Sequence, residues 1–498
     1  MSYKNKTLNP PADNKEPLSE EELSRLEPVI ISVVGPTNEG KTSVLRTLTG
    51  DPQFGEINSL TGTTGHAEYK KIFYHDKAEV LRLIDTPGFQ MSSAIVDQLQ
   101  EREGATGIEA ILEAIPESDE NYRHDLRAWK EVRQSQIVIY IANLCESPAQ
   151  SLLRDTLTLL EQVERPVIVV FNNIPTQIDG APPLHDGFEA EWTKVLRRSR
   201  FYSFQKIDAH RRDFRDEYEL FERIVALVRD PLAKRAVRAE LMGRLRLEEL
   251  RIERSRETIA EFLYDMALTR TIGRNVPRDQ VKARRETLAE ELSSQVARRC
   301  QQVQKDLFDI WRFTPDILDR KFRPLEQEFD ERDHHFGRRL KKHLTRGVAI
   351  GAGVGLLIDV AAGLTTAGLG SVLGGILGGF LGGAGFNYKF DTKQKKLMVK
   401  LGKDAFPFLL SQCVELVKKL QVRGQAVDVN IQLKLAEDPQ KVRAPEIYRL
   451  LGKISKDADL AEIFHLPGSM SADLPDRQNR IDDLCEALES VLPPPNLG

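Results

Sequence analysis

At 498 residues the chain is too long for one ordinary domain, and two or three are expected. Hydrophobic residues make up 41% and charged residues 29%, the balance of a soluble protein with real cores. A formal net charge of −4 excludes any global electrostatic case for nucleic acid. The first 27 residues are polar and lack an apolar run, so they read as a flexible arm and not as a signal peptide. The cysteines Cys145, Cys300, Cys413 and Cys485 stand far apart and read as reduced, intracellular thiols. The first strand is predicted over the β-branched run Val29 to Val34. It enters Gly35-Pro36-Thr37-Asn38-Glu39-Gly40-Lys41-Thr42-Ser43, and a helical pattern begins at Val44. This is GxxxxGK[ST] in its required setting, strand before and helix after. Gly35 and Gly40 let backbone N–H groups curl around a phosphate. Lys41 reaches the β and γ phosphates, and the Thr42 hydroxyl can ligate Mg²⁺.

A polar, glycine-broken loop follows and carries Thr61 to Gly65. Strands are predicted at Ala67 to Tyr74 and at Glu79 to Ile84. The second runs into Asp85-Thr86-Pro87-Gly88, 44 residues after Lys41. An acidic residue ending a buried strand, then a glycine turn, suits a Mg²⁺ site with an N–H aimed at a γ phosphate. A helix is predicted over 107–134. Strands at Gln136 to Ala142, Val167 to Phe171 and Phe201 to Ile207 alternate with helices at Gln150 to Val163, Phe188 to Arg198 and Phe214 to Val228. Continuous apolar strands between amphipathic helices predict a mostly parallel sheet covered on both faces.

The P-loop, the paired threonines of the next loop and the DTPG turn match, in order and spacing, the P-loop GTPases of the Era/TrmE-like type. With the later glycine-rich run, the chain resembles bacterial members carrying a C-terminal domain of unknown function. The resemblance implies GTP and GDP as ligands, hydrolysis at the β–γ phosphoanhydride, and Mg²⁺. It implies that Lys41 and Ser43 serve the phosphates and that Thr42 and Asp85 hold Mg²⁺. Thr64 is its switch-I Mg²⁺ ligand, with Thr63 as second choice, and Gly88 senses the γ phosphate. Asn38 matches an asparagine that holds K⁺ in potassium-dependent members; the other reading is an ordinary turn asparagine. Phe89 stands where Ras-like enzymes carry a catalytic glutamine, so Gln90, a cation or a partner must orient water. The guanine-reading motif departs from NKxD: Asn172-Asn173-Ile174-Pro175 keeps the asparagine but lacks the lysine and the aspartate. Asp179 and Asp208 are the candidate substitutes.

Beyond Pro231 the sequence is charged, with apolar residues at helical spacing. Leu245, Ile252, Ile259 and Met266 recur every seven residues and predict a long helix packed along one seam. Breaks near Gly273 to Pro277 and at Pro315 predict three long helices in a stalk or bundle over 231–346, a surface suited to a homodimer. Residues 347–386 hold fourteen of the chain's 33 glycines and a single charge, Asp359, and therefore predict a glycine-rich apolar helical hairpin. Gly374, Gly378 and Gly382 fall on one helix face, where a second helix can approach closely. Arms of roughly 16–18 residues are slightly short for a bilayer. Basic residues flank both ends, which suits a hairpin entering from the cytoplasmic side. A membrane lipid or membrane-protein partner is expected there, with the protein cytoplasmic and peripheral or hairpin-inserted at the inner membrane. A buried core hairpin is the competing reading. Residues 387–498 read as mixed and mainly helical, with a short hairpin turning at Asp391-Thr392, a helix at Ala405 to Val422 and a half-buried strand from Val427 to Leu435. His334, His335 and His465 lack metal-ligand spacing. The domains expected are 1–27, 28–230, 231–346, 347–386 and 387–498. The function expected is a GTP-hydrolysing switch, with a nucleotide-gated membrane effector or scaffold of little turnover as its rival. A nucleic-acid partner is not expected, because no basic, aromatic-bearing module is present.

Overall fold

A computed structural model describes residues 18–51, 54, 68–74, 77–101, 107–172, 188–198, 201, 203–209, 211–311, 386–422, 442–461 and 474–495. Their contacts form two units, one from the N-terminus to Leu247 and one from Glu248 onward, apart from a few residues near 422 and at the C-terminal end.

The first unit runs α1 (Glu20–Ser24), β1 (Val29–Val34), α2 (Lys41–Thr49), β2 (Glu68–Tyr74), β3 (Ala78–Asp85), α3 (Ser92–Glu101), α4 (Ile108–Ala114), α5 (Arg123–Gln134), β4 (Ile137–Asn143), α6 (Ser151–Glu161), β5 (Val167–Asn172), α7 (Glu189–Arg198), β6 (Ser203–Lys206) and α8 (Phe214–Leu227). The strands form one sheet in the order β2-β3-β1-β4-β5-β6. Only β2 runs antiparallel, against β3; the other pairs are parallel. β4 and β5 are buried almost throughout, because alternate side chains enter two separate cores. Ile137, Ile139, Ile141, Ile168 and Val170 face one core, with residues of α2 and α8. Val138, Tyr140, Val167, Val169 and Phe171 face the other, with residues of α3 to α7. The mostly parallel sheet with helices on both faces is therefore as the sequence predicts.

Two local expectations need correction. The helix predicted over 107–134 is two helices, α4 and α5. Pro116 cannot continue α4, and the Asp119 carboxylate accepts from the Asn121 N–H to hold a turn. α3 was not predicted, since only Ile95 and Val96 among its apolar residues are fully buried.

α9 (Pro231–Leu268) is one 38-residue helix, and the division between units falls within it. In the second unit it is followed by β7 (Arg270–Gly273), α10 (Val281–Ile310), β8 (Phe386–Asp391), β9 (Lys396–Leu401), α11 (Ala405–Gln421), α12 (Pro445–Leu460) and α13 (Arg477–Leu488). Of the heptad seam, Ile252, Ile259 and Met266 are buried in this unit's core. The break expected near Gly273 to Pro277 does separate α9 from α10, and it holds β7, which pairs with β9 in a three-stranded antiparallel sheet β7-β9-β8. Four residues carry no strand periodicity of their own; the long-range partner makes the strand. Cys300 and Cys413 are buried thiols whose pKa burial raises, Cys413 to about 12, so they pack as neutral groups. The break at Pro315, most of the hairpin 347–386, and the strand expected at Val427 to Leu435 lie outside the described residues, as do His334, His335, Asp359 and His465.

Candidate nucleotide phosphate site

Parallel pairing sets Val33 of β1 opposite Asp85 of β3, so both strands end side by side where open α/β sheets bind ligands. The loop leaving β1 needs glycine twice. Gly35 has φ of 150°, and a Cβ there would lie 2.5 Å from the Ile141 carbonyl oxygen. Gly40 has φ of 85°, and its Cβ would lie 2.3 Å from Asn172 Nδ2. Asn38 also sits in the left-handed region, at φ 70°, which asparagine tolerates better than most residues. That supplies a local reason for an asparagine in this turn.

Gly40 precedes α2, so Lys41, Thr42 and Ser43 form the first turn, whose free N–H groups and positive end favour an anion. The Lys41 ammonium is buried and donates to the Gly35 and Pro36 carbonyls at 3.1 and 2.7 Å. Burial lowers its pKa to about 8, against the pull of Asp85 and Glu39. The Thr42 hydroxyl donates to Asp85 Oδ2 at 2.5 Å. Asp85 Oδ1 is buried and has no hydrogen-bond partner among the described residues. Burial raises the Asp85 pKa to about 6, opposed by the Thr42 hydrogen bond and by Lys41. A hydroxyl and a carboxylate with a spare oxygen are hard donors, and they fit Mg²⁺.

The DTPG turn is stitched to this loop. Thr86 donates its side-chain hydroxyl to the Val33 carbonyl at 2.8 Å, and the Phe89 N–H donates to the Gly35 carbonyl at 3.1 Å. Gly88 presses on Thr37 so closely that a Cβ would lie 2.7 Å from the Thr37 nitrogen. Phe89 is fully buried against Trp129, with ring centroids 5.0 Å apart, so it cannot face attacking water. The Gln90 side-chain amide reaches Thr37 Oγ1 at 3.5 Å.

On the base side, both ends of the Asn172 amide are engaged. Nδ2 donates to the Glu39 carbonyl at 2.9 Å, and Oδ1 accepts from the Ala209 N–H at 3.1 Å. Thr47 adds a hydrogen bond to the Ala209 carbonyl. Asn172 thus ties the phosphate loop to the segment after β6. Glu39 is buried, its Oε2 lacks a partner among the described residues, and burial followed by the nearby Glu146 raises its pKa to about 8.

The structure brings together Gly35, Pro36, Thr37, Asn38, Glu39, Gly40, Lys41, Thr42, Ser43, Asp85, Gly88, Gln90 and Asn172. Thr63, Thr64, Asn173, Pro175 and Asp179 lie outside the described residues. Sequence reasoning missed Asp125, Trp129 and Ala209, which hold the site from elements without a motif. Among the described residues no cluster of histidine, cysteine, aspartate and glutamate could hold a metal elsewhere.

Residues 30–173 match the family described as 50S ribosome-binding GTPase. Residues 193–464, more than half of the chain, match the domain of unknown function DUF3482. No curated protein matches the chain. Among solved structures, Era from Aquifex aeolicus bound to GDP·AlF4⁻ is 16% identical with a TM-score of 0.27, covering 50% of this chain and 73% of that one. Era in complex with MgGDPNP and a segment of 16S ribosomal RNA is 14% identical with a TM-score of 0.29, covering 57% and 89%. The bacterial selenocysteine-specific elongation factor EF-Sec is 14% identical with a TM-score of 0.26, covering 41% and 29%.

Proposed function

Because the chain belongs to the family of the domain of unknown function DUF3482, with a GTPase domain ahead of it, we propose that it is a GTP-hydrolysing switch of the Era/TrmE-like type that works at a membrane. The observation that carries the catalytic reading is the join between β1 and β3. Buried Lys41, the first turn of α2, the Thr42 hydroxyl and the free oxygen of Asp85 converge beside the DTPG turn. Thr42 and Asp85 hold Mg²⁺, with Thr64 as a further ligand. A Mg²⁺ held there would supply positive charge against that of the bound phosphates. Lys41 exchanges its loop carbonyls for phosphate oxygens. The Gly88 N–H faces the γ phosphate, and Gln90 beside Thr37 is the side chain available to orient water, since Phe89 is packed away. Positioning and charge account for nearly all catalysis in phosphoryl transfer, so intrinsic turnover is slow. Turnover compared in potassium and sodium reads out a monovalent cation at Asn38.

The test of the site is Lys41→Ala, measured by titration with a fluorescent GTP analogue and by phosphate release. Loss of binding and turnover is expected, because among the described residues Lys41 is the buried side-chain cation that donates to the loop carbonyls. Affinity like that of the wild type would overturn the assignment.

The membrane part of the proposal is supported by sequence: 40 residues from Gly347 with one charge, flanked by lysines and arginines. Among the described residues no helix is long and apolar enough to cross a membrane, and the glycine-rich run up to 385 lies outside them. Deleting 347–386 should release the protein from sedimented membranes while leaving GTP binding intact. A full-length protein that ignores liposomes in both nucleotide states would make the run a core element instead.

A further inference from the structure

We propose that Asp125 of α5 is a positioning residue for GTP hydrolysis: its carboxylate fixes the backbone that leaves the DTPG turn and so sets where Gly88 and Gln90 stand. The inference rests on the reading of that turn as the γ-phosphate sensor.

Asp125 is fully buried. Its two oxygens take the Gln90 N–H at 3.3 and 3.1 Å and the Met91 N–H at 3.2 and 3.3 Å. The contact is remote in sequence, spanning about 35 residues, and it comes from a different helix. One turn further along α5, Trp129 stacks on Phe89. α5 therefore grips three successive residues, the ring of Phe89 with an indole and the N–H groups of Gln90 and Met91 with a carboxylate. A third element adds a hold: Thr156 of α6 donates to the Ser92 hydroxyl at 2.8 Å. On its other side the same turn is fastened to the phosphate loop through Phe89 to Gly35 and Gly88 against Thr37.

Simple satisfaction of amides does not explain this arrangement. The Gln90 side chain is exposed, yet its N–H and that of Met91 turn inward onto a carboxylate that is itself fully buried. A buried carboxylate is an expensive acceptor, and burial pushes the Asp125 pKa up to about 6 even against the two N–H groups that lower it. What the carboxylate supplies and water cannot is a fixed backbone immediately after the γ-phosphate-sensing glycine. Catalysis by positioning is sensitive to such fixing.

The experiment compares wild type, Asp125→Asn and Asp125→Leu in the full chain, with Lys41→Ala as the control for nucleotide binding. GTP turnover, GDP affinity and hydrogen exchange of a peptide spanning 86–92 are measured. Asp125→Leu should lower kcat by on the order of ten- to a hundredfold, with KM and GDP affinity within about threefold of wild type. Exchange at Gln90 and Met91 should quicken about tenfold or more. Asp125→Asn keeps one acceptor oxygen for two N–H groups, so its losses should lie between. If Asp125→Leu does not fold, Asp125→Asn decides alone by the same two readouts. A graded fall in melting temperature with kcat and exchange unchanged would mean a purely structural carboxylate and would overturn the inference. If Lys41→Ala binds nucleotide as wild type does, the GTPase reading falls instead, while exchange at Gln90 and Met91 still reports whether Asp125 holds this segment.

Discussion

Glu39 is a carboxylic acid buried inside the candidate phosphate loop. Its pKa of about 8 means that the folded protein keeps its proton at neutral pH. The linkage has a definite sign. The folded pKa lies above the unfolded one, so from about pH 4.5 to 8 the unfolded chain gives up a proton that the folded chain retains. Stability from this group is therefore greatest below pH 4.5 and is lost as pH rises to 8. Glu39→Gln keeps the shape and removes the titration. The variant should match wild type in urea unfolding near pH 4 and exceed it at pH 8 by on the order of 4 kcal/mol. Equal unfolding curves at both pH values would mean that Glu39 is ionised and solvated in the fold. The backbone of the candidate phosphate loop was legible because such a loop constrains consecutive positions. The glycines need left-handed backbone, the lysine must sit on the first helical turn, and the aspartate must end a strand. Asp125 and Ala209 were not legible. Each acts through a single long-range hydrogen-bond set, and nothing in a helix such as RHDLRAWKEVRQ marks one acid as the buried one.

Arg270 shows the same contrast between elements. It begins β7 with its side chain fully buried, which a sequence reader would reject for an arginine. Its guanidinium donates to Asp459 of α12 at 3.0 Å, to the Ser455 carbonyl at 2.6 Å, and to the Ala267 and Leu268 carbonyls at the end of α9. Lys400 of β9 also pairs with Asp459. One ion cluster thus joins α9, the small sheet and α12. Strong local patterns gave the long helices and the β8–β9 hairpin, because their periodicity lies within the segment itself. β7 has no such period, and its pairing with β9 spans more than a hundred residues, so only tertiary structure reveals it. Removing one partner from a buried charge costs more than the pair contributes. Asp459→Ala should lower stability by about 3 kcal/mol in denaturant unfolding of the full chain. A loss under about 1 kcal/mol would mean that the carbonyls alone satisfy Arg270.

At the scale of the whole chain, the change in texture at Pro231 was expected to end the nucleotide domain, at residue 230. The packing puts the division later. Ala233, Ala236, Val237 and Leu241 of α9 are buried in the first unit's core with Ile224 and Val225 of α8, and Arg244 donates to the Leu48 carbonyl at 2.7 Å. The change in composition and the edge of the core differ because one helix serves both units, and its charged faces begin before its buried stripe ends. A fragment consisting of residues 1–230 therefore strips a layer from the core beside α2 and α8. One ending at 247 keeps it. Uncovering four apolar side chains of this size forfeits several kcal/mol, a large share of a domain's net stability. Both fragments carry every described residue of the phosphate site, so chemistry alone predicts equal nucleotide binding. Packing predicts otherwise: the 1–247 fragment should unfold cooperatively and bind a fluorescent GTP analogue, while the 1–230 fragment should aggregate or melt at least 10 °C lower, on the order expected for such a loss. If the two fragments melt together and bind alike, the first turns of α9 are a passive extension, and the nucleotide domain ends where the composition changes.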